Sequence, residues 1–294
     1  MVVMRGEFNI ESNDNTLFTT SQCNNNCIMC CQPPLKVDDI DELYQRNVEI
    51  IKSAPKEIPV VGISGGEPAL LGYRLVELIK LIREELPNSE IHLLTNGRLF
   101  KDSEFAKNIA EVAEGKLVAG IPLHSDYFQE HDIIAGAKRA YYETITGIFN
   151  LAALGVPIEL RIVINRLNYR RLPQMAEFIH KNMPFVAWTA FMGMEHVGNA
   201  VRNENNIWIE PEDYISYLTQ AVKIMYQWNM DVSIYNIPLC LLPDDIHEFA
   251  KQSVSDWKTK FLDICNQCVL KSKCCGLFAT SKNIYKGLRN YAIR

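Results

Sequence analysis

The sequence predicts an α/β fold, a partial (β/α)6 barrel carrying a small cysteine-rich C-terminal extension. Three observations predict it. Six short β-branched runs alternate with helical patterns, the conspicuous motifs follow directly after such runs, and the fifth run carries Glu159, Arg161 and Asn165 on one face. A βα repeat implies parallel strands joined by right-handed crossovers. The repeat alone fits a doubly wound sheet as well as part of a barrel, and in both a ligand sits at the C-terminal ends of the strands. The polar face favours the barrel. Alternate strand residues share a face, and burying Glu, Arg and Asn together is costly unless that face lines a polar cavity.

The six runs are 15–20, 59–64, 91–95, 117–123, 157–165 and 185–191. Between them, Asp39 can cap a first helix whose Ile40, Leu43, Val48 and Ile51 line one face. Further helices are predicted over 71–86, stopped by Pro87, and over 102–114, 137–154 and 172–181. The pattern changes near residue 200, which sets a barrel over 12–200 and an extension over 201–294. In the extension, Pro211 starts a helix with Tyr214, Ile215, Leu218, Val222 and Met225 on one face, and 231–236 reads as a strand. The tail beyond Cys240 has few periodic segments and looks organised by metal rather than by a core.

The chain has 294 residues, 48% of them hydrophobic and 22% charged, which suits a substantial core rather than disorder. A net charge of −5 without a dense basic run argues against nucleic acid as a partner. No run of eighteen apolar residues is present, so no membrane span is expected. The start lacks the apolar core of a secretion signal. Nine cysteines, an odd number and mostly clustered, argue against a disulfide framework. Reduced cytoplasmic thiolates that bind metal are expected instead.

Cys23, Cys27 and Cys30 form a C-x3-C-x2-C spacing after the first run. Three close thiolates can hold three irons of a cubane and leave the fourth open to a chelating small molecule. Zinc is the alternative, but it usually wants four ligands in C-x2-C pairs, and no fourth lies nearby. Cys31 diverges from Cys30 and suits a buried structural thiol. A second set, Cys265, Cys268 and Cys274, is spaced C-x2-C-x5-C, with Cys240 the solitary distant cysteine available as a fourth ligand. Four Cys suit zinc there as well. Gly65-Gly66-Glu67-Pro68, Asn96-Gly97 and His124-Ser125-Asp126 end the second, third and fourth runs. Each is a turn at least. The paired glycines also let a backbone approach a ligand. His124 is read either as a substrate contact or as a hydrogen-bonded strand-end residue.

The cysteine spacing after a first strand resembles the radical S-adenosylmethionine (radical SAM) superfamily, with Met29 where an aromatic residue often stands. The resemblance implies a [4Fe–4S] cluster on Cys23, Cys27 and Cys30, its open iron chelated by S-adenosylmethionine. It implies that Gly65, Gly66 and Glu67 bind the cofactor's amino group, that Asn96 lies near it, and that Ser125 contacts its sulfonium end or ribose. Arg161, beside Asn165, would pair with its carboxylate, or else with Glu159 or Asp126 in the protein. The segment ending at Glu195 would contact adenine. On this reading Gly66→Val blocks the cofactor while leaving the first cluster assembled.

The tail resembles the SPASM and Twitch extensions of that superfamily, which implies one auxiliary [4Fe–4S] cluster on Cys240, Cys265, Cys268 and Cys274. Segments 27–34, 63–68, 232–236, 252–258 and 265–278 look like the C-type maturases of the His-Xaa-Ser radical SAM pair system. That resemblance implies post-translational modification of a peptide, a second radical SAM maturase as partner, and an electron donor such as flavodoxin or ferredoxin. Those maturases generally carry a longer N-terminal region, so this chain is not expected to recognise a leader peptide alone. A small-molecule substrate and a glycyl-radical protein are the alternative targets. A cysteine-rich electron carrier or zinc interaction protein is the non-enzymatic alternative, and the strand-end cofactor motifs speak against it.

Overall fold

The structure is a computed structural model that describes residues 7–12 and 14–291. Seven strands form one sheet in chain order: β1 (Thr16–Phe18), β2 (Val60–Ser64), β3 (Glu90–Leu94), β4 (Leu117–Pro122), β5 (Ile158–Val163), β6 (Trp188–Met192) and β7 (Val232–Tyr235). The connecting helices are α1 (Ile40–Ser53), α2 (Tyr73–Glu85), α3 (Ser103–Ala113), α4 (Phe128–Ala135), α5 (Ala140–Ala153) and α6 (Leu172–Asn182). Two single turns, α7 (Asn199–Arg202) and α8 (Glu204–Ile207), precede the long α9 (Pro211–Gln227). The α/β barrel-type fold read from the sequence is therefore present. It has one strand more than the six runs, because 231–236 joins the sheet as β7 instead of standing apart.

The chain divides into two compact units. The first comprises Met1–Asn26, Gln32–Pro122 and Ala135–Glu159. Here β1 to β4 pair in parallel, with Gly62 beside Thr16 and His92, and His92 beside Val118. Burial alternates along β2 and β3: Val61, Ile63, Ile91 and Leu93 are fully buried while their neighbours are partly open. Helix α2 sends Leu75, Leu78, Ile79 and Ile82 into the core and packs between α1 and α3. The period-2 and period-3.6 patterns thus bury complementary apolar faces.

The second unit comprises Cys27–Cys31, Leu123–Ile134 and Leu160–Arg294. Strand β7 runs parallel to β6, from Thr189 beside Val232 to Met192 beside Tyr235. Helix α9 packs on α6 and buries Tyr214, Leu218, Ala221, Val222 and Met225. Helix α4 escaped sequence reading because its apolar residues share no single face. Phe128 and Ile133 are exposed, whereas Ile134 is buried. The tail holds a two-stranded antiparallel ribbon, β8 (Thr259–Lys260) against β9 (Leu277–Phe278). Among the described residues no helix is long and apolar enough to cross a membrane.

Candidate functional site

In the first unit the loop after β1 keeps running alongside the glutamate-containing turn after β2. Thr19 N–H donates to Ser64 O at 2.9 Å, Gly66 N–H to Thr20 O at 2.7 Å, and Glu67 N–H to Gln22 O at 2.8 Å. Asp39, expected to cap α1, makes no cap bond there. Its carboxylate instead accepts from Thr20 Oγ1 at 2.8 Å and Ser21 N–H at 3.0 Å, which fixes the entry to the loop.

The glycines also serve a purpose that the sequence did not suggest. A Cβ on Gly66 would stand 2.1 Å from Gln22 O, and one on Gly65 2.7 Å from Thr20 O. The close approach is to the loop that carries Cys23. Gly66→Val should therefore strip iron along with cofactor affinity, reversing the earlier expectation that the cluster survives. Overpacking of this kind costs about 1–3 kcal/mol or more. Iron per chain and the melting temperature measure it, and a fully iron-loaded variant would restore the original reading.

Glu67 is 1% exposed and its carboxylate is committed to the protein. It accepts from Ala69 N–H at 3.0 Å, Thr95 Oγ1 at 2.5 Å and Asn96 N–H at 2.6 Å. Burial pushes its carboxyl above the usual range, against these donors, which pull it down. The side chain clamps the ends of β2 and β3. Asn96 follows β3 and faces the loop that carries Cys23. Its amide donates to Asn24 Oδ1 at 2.6 Å and comes within 3.9 Å of Cys23 Sγ. Burial raises the Cys23 thiol, while the Asn25 N–H, 3.4 Å away, and Asn96 favour the thiolate. Arg98 was missed by sequence reading. It donates to Asn24 O at 2.6 Å and Asn25 Oδ1 at 2.7 Å, and pairs with Glu143. The clue was available: a cation two residues beyond the polar Asn96, just past a strand end.

The motif passes from the first unit to the second between Asn26 and Cys27. In the second unit Cys30 N–H donates to Cys27 O at 3.0 Å, closing a turn, and Ile28 N–H reaches Ile134 O at 3.0 Å. Asn199 N–H donates to Cys30 O at 2.8 Å, Asn199 Nδ2 to Cys27 O at 3.0 Å, and Asn203 Nδ2 to Ile28 O at 2.8 Å. Gly198 has φ +63, and a Cβ there would stand 2.6 Å from Cys30 O. Sequence reading marked only a change of pattern near residue 200 and missed that this stretch cradles the cysteine loop; Cys31, expected to be a buried thiol, is exposed, its loop held by Asn199 instead. Met29 packs with Ile134, Met194, Ala200 and Ile207 in an apolar cluster. A flexible thioether fills such an irregular gap well. On the far side of Cys27, His124 Nε2 stands 3.9 Å from the sulfur.

Three other expected contact residues have partners within the protein. Ser125 is fully buried, accepts from Tyr127 N–H at 3.1 Å and bonds Glu130. Asn165, also fully buried, builds the turn after β5, accepting from Leu167 N–H at 2.9 Å and donating to Val163 O at 3.1 Å. Glu195 ties the segment after β6 to the tail through Lys258 at 3.2 Å and through Thr280. These bonds position loops: Ser125 and Asn165 bond within their own segments, and Glu195 bonds the distant tail. Arg161 is partly buried. Glu159, on the first unit's part of β5, pairs with His92 at 2.6 Å, and Asp126 pairs with Arg171 at 2.7 Å.

In the tail, Cys240, Cys265, Cys268 and Cys274 line one recess, walled by Phe261, Ile264, Leu270, Leu277 and Leu288. Cys274 is drawn down to about 6, chiefly by a hydrogen bond from Cys275, against burial. That bond, with burial, pushes Cys275 well up. Burial raises Cys240, and the three other recess thiols act on it in the same direction. The donor set fits an iron–sulfur cluster, with four thiols around one apolar recess. Cys27, Cys30 and Cys23, on loops pinned by backbone and side-chain bonds, offer the same soft donors. Among the described residues no three His, Cys, Asp or Glu side chains are gathered as a bound ion would gather them.

A parallel α/β sheet with C-x3-C-x2-C on the loop after its first strand defines a class. A family model described as the radical SAM superfamily matches residues 17–179, and the chain belongs to that superfamily. Its members are S-adenosylmethionine-dependent enzymes that use a [4Fe–4S] cluster. Among curated proteins, the chain is similar to Fe-coproporphyrin III synthase of Methanosarcina barkeri, 30% identical over 165 residues, covering 55% of this chain and 39% of the relative. Among solved structures, it resembles native anSMEcpe with bound AdoMet (S-adenosylmethionine) and the Kp18Cys peptide, with TM-score 0.58 and 20% identity over 74% of this chain and 62% of that one. It also resembles Streptococcus suis SuiB bound to precursor peptide SuiA, with TM-score 0.53 and 13% identity over 75% of this chain and 47% of that one. The chain thus spans from about two fifths to just over three fifths of the length of these proteins.

Proposed function

We propose that the chain is a radical SAM peptide maturase of the His-Xaa-Ser type. Cys23, Cys27 and Cys30 hold the first cluster, and Cys240, Cys265, Cys268 and Cys274 hold one auxiliary [4Fe–4S] cluster. When bound and reduced, the first cluster supplies the electron that splits S-adenosylmethionine into methionine and a 5′-deoxyadenosyl radical, which takes hydrogen from the substrate. The protein's part is positioning. Asp39, Gly66 and Arg98 fix the loop around Cys23. Asn199 and Asn203 fix the loop around Cys27 and Cys30. Glu67 locks the strand ends between which the cofactor is expected, and Arg161, on β5, is the proposed contact for its carboxylate.

The peptide reading is carried by the four-thiol recess, an addition to the barrel that hydrogen abstraction alone does not need. Two neighbours of similar fold, solved with peptides bound, support it. An electron donor such as flavodoxin or ferredoxin and a second radical SAM maturase complete the proposed system. The 30% identity to a coproporphyrin synthase favours a second reading, a tetrapyrrole substrate.

One assay separates them. The full chain, reconstituted anaerobically, is incubated with S-adenosylmethionine, reductant and either short peptides encoded beside it or a set of tetrapyrroles. A mass change in a peptide, with 5′-deoxyadenosine rising about tenfold or more above the substrate-free rate, is expected. Conversion of a tetrapyrrole with every peptide unchanged would sink the peptide reading.

A further inference from the structure

His124 sits at the end of β4 with 3% of its surface exposed, and nothing in the reaction outlined above uses it. Its backbone is held from both sides. The N–H donates to His131 Nδ1 at 3.2 Å, and the carbonyl accepts from Asn168 Nδ2 at 2.9 Å. The ring is therefore placed by the scaffold. Nε2 stands 3.9 Å from Cys27 Sγ, within reach of a hydrogen bond to sulfur. Nδ1 is buried and has no partner.

The position of the ring proton follows from these facts. A neutral imidazole carries one N–H, on either ring nitrogen. If that proton were on Nδ1, a buried donor would be left unsatisfied. Placed on Nε2, it points at the Cys27 sulfur and leaves only a bare lone pair at Nδ1. An orphaned buried N–H is rarer and costlier than an under-used acceptor. His131 accepts at its own Nδ1 and so cannot also supply the Cys27 contact from that atom.

We infer that His124 is a positioning residue that donates an Nε2–H hydrogen bond to the Cys27 thiolate and thereby raises the reduction potential of the first cluster. Reduction adds negative charge to the sulfurs, so a donor aimed at one of them favours the reduced form. The inference rests on the proposed ligation by Cys27.

The test is a redox titration of the anaerobically reconstituted full chain, monitored by the electron paramagnetic resonance of the first cluster, with the tail signal assigned from a variant lacking Cys265, Cys268 and Cys274. His124→Leu should lower the reduced-to-oxidised ratio about tenfold at the parent's midpoint, about 59 mV for a one-electron couple. His124→Gln, whose amide nitrogen reaches close to the Nε2 position, should recover most of that shift. A Leu variant that titrates with the parent would overturn the inference. If the Leu variant fails to load iron, the parent decides. Grown with ¹⁵N-labelled histidine, it should show a weak nitrogen coupling in the pulsed spectrum of the reduced cluster, and an uncoupled spectrum overturns the inference. A parent with no cluster on Cys23, Cys27 and Cys30 would instead sink the proposed function itself.

Discussion

Replacing Cys23, Cys27 and Cys30 together by Ala should reduce the reductive release of 5′-deoxyadenosine to the background of protein-free controls. The reason is chemical rather than steric. Three thiolates leave one iron of a cubane without a protein ligand, and that open site is where a chelating cofactor would sit. Without the thiolates there is neither cluster nor open iron. Iron should fall by about four atoms per chain while the tail's share persists. The fold should survive, because the loop's backbone is held by bonds from Asn199 and Asn203 to the carbonyls of Cys27 and Ile28, which Ala keeps. Continued deoxyadenosine release from a folded triple variant would remove Cys23, Cys27 and Cys30 from the chemistry.

The second large effect concerns the tail. The reconstituted parent should hold about eight irons, four in each of two cubanes, and removing Cys265, Cys268 and Cys274 should leave about half. A zinc site would instead give about four irons before any mutation, with zinc in the elemental analysis. Cys240→Ser distinguishes the fourth ligand. It should abolish the tail's spectrum, because Cys240 lines the recess with the other three. Cys275 is 5% exposed and its thiol donates to Gly276 O at 3.3 Å. An intact tail spectrum in Cys240→Ser would move the fourth ligand elsewhere. The variant should also melt earlier, since a tail with little core of its own couples metal binding to folding.

Much of the sheet was legible because local signals and the fold agreed. Alternating burial in β2 and β3, the stop at Pro87 and the start at Pro211 all follow from period and backbone chemistry alone. The seventh strand was visible as a strand, but its seat beside β6 was not, since register across a long helix leaves no local mark. The candidate site was legible in its cysteine spacing and less so in its supports. Glu67, Ser125, Asn165 and Glu195 look like free polar groups at strand ends when read as letters. Each is committed to a partner, and several of those partners lie far away in sequence, as Thr280 does for Glu195. Arg98, Asn199 and Asn203 were overlooked for the converse reason. Their value lies in which carbonyls they reach, and that is decided by packing.

The bond from Asn199 to the Cys27 carbonyl spans 172 residues of chain. On a ribosome adding about 5–20 residues per second, roughly 10–35 s separate the emergence of these two partners. Throughout that interval the cysteine loop is translated but lacks the residue that shapes it. Its thiols meet oxidants and stray metal ions before they meet their final surroundings. On the proposed ligation, iron loading is therefore expected to wait for the emergence of Asn199 rather than of the cysteines themselves.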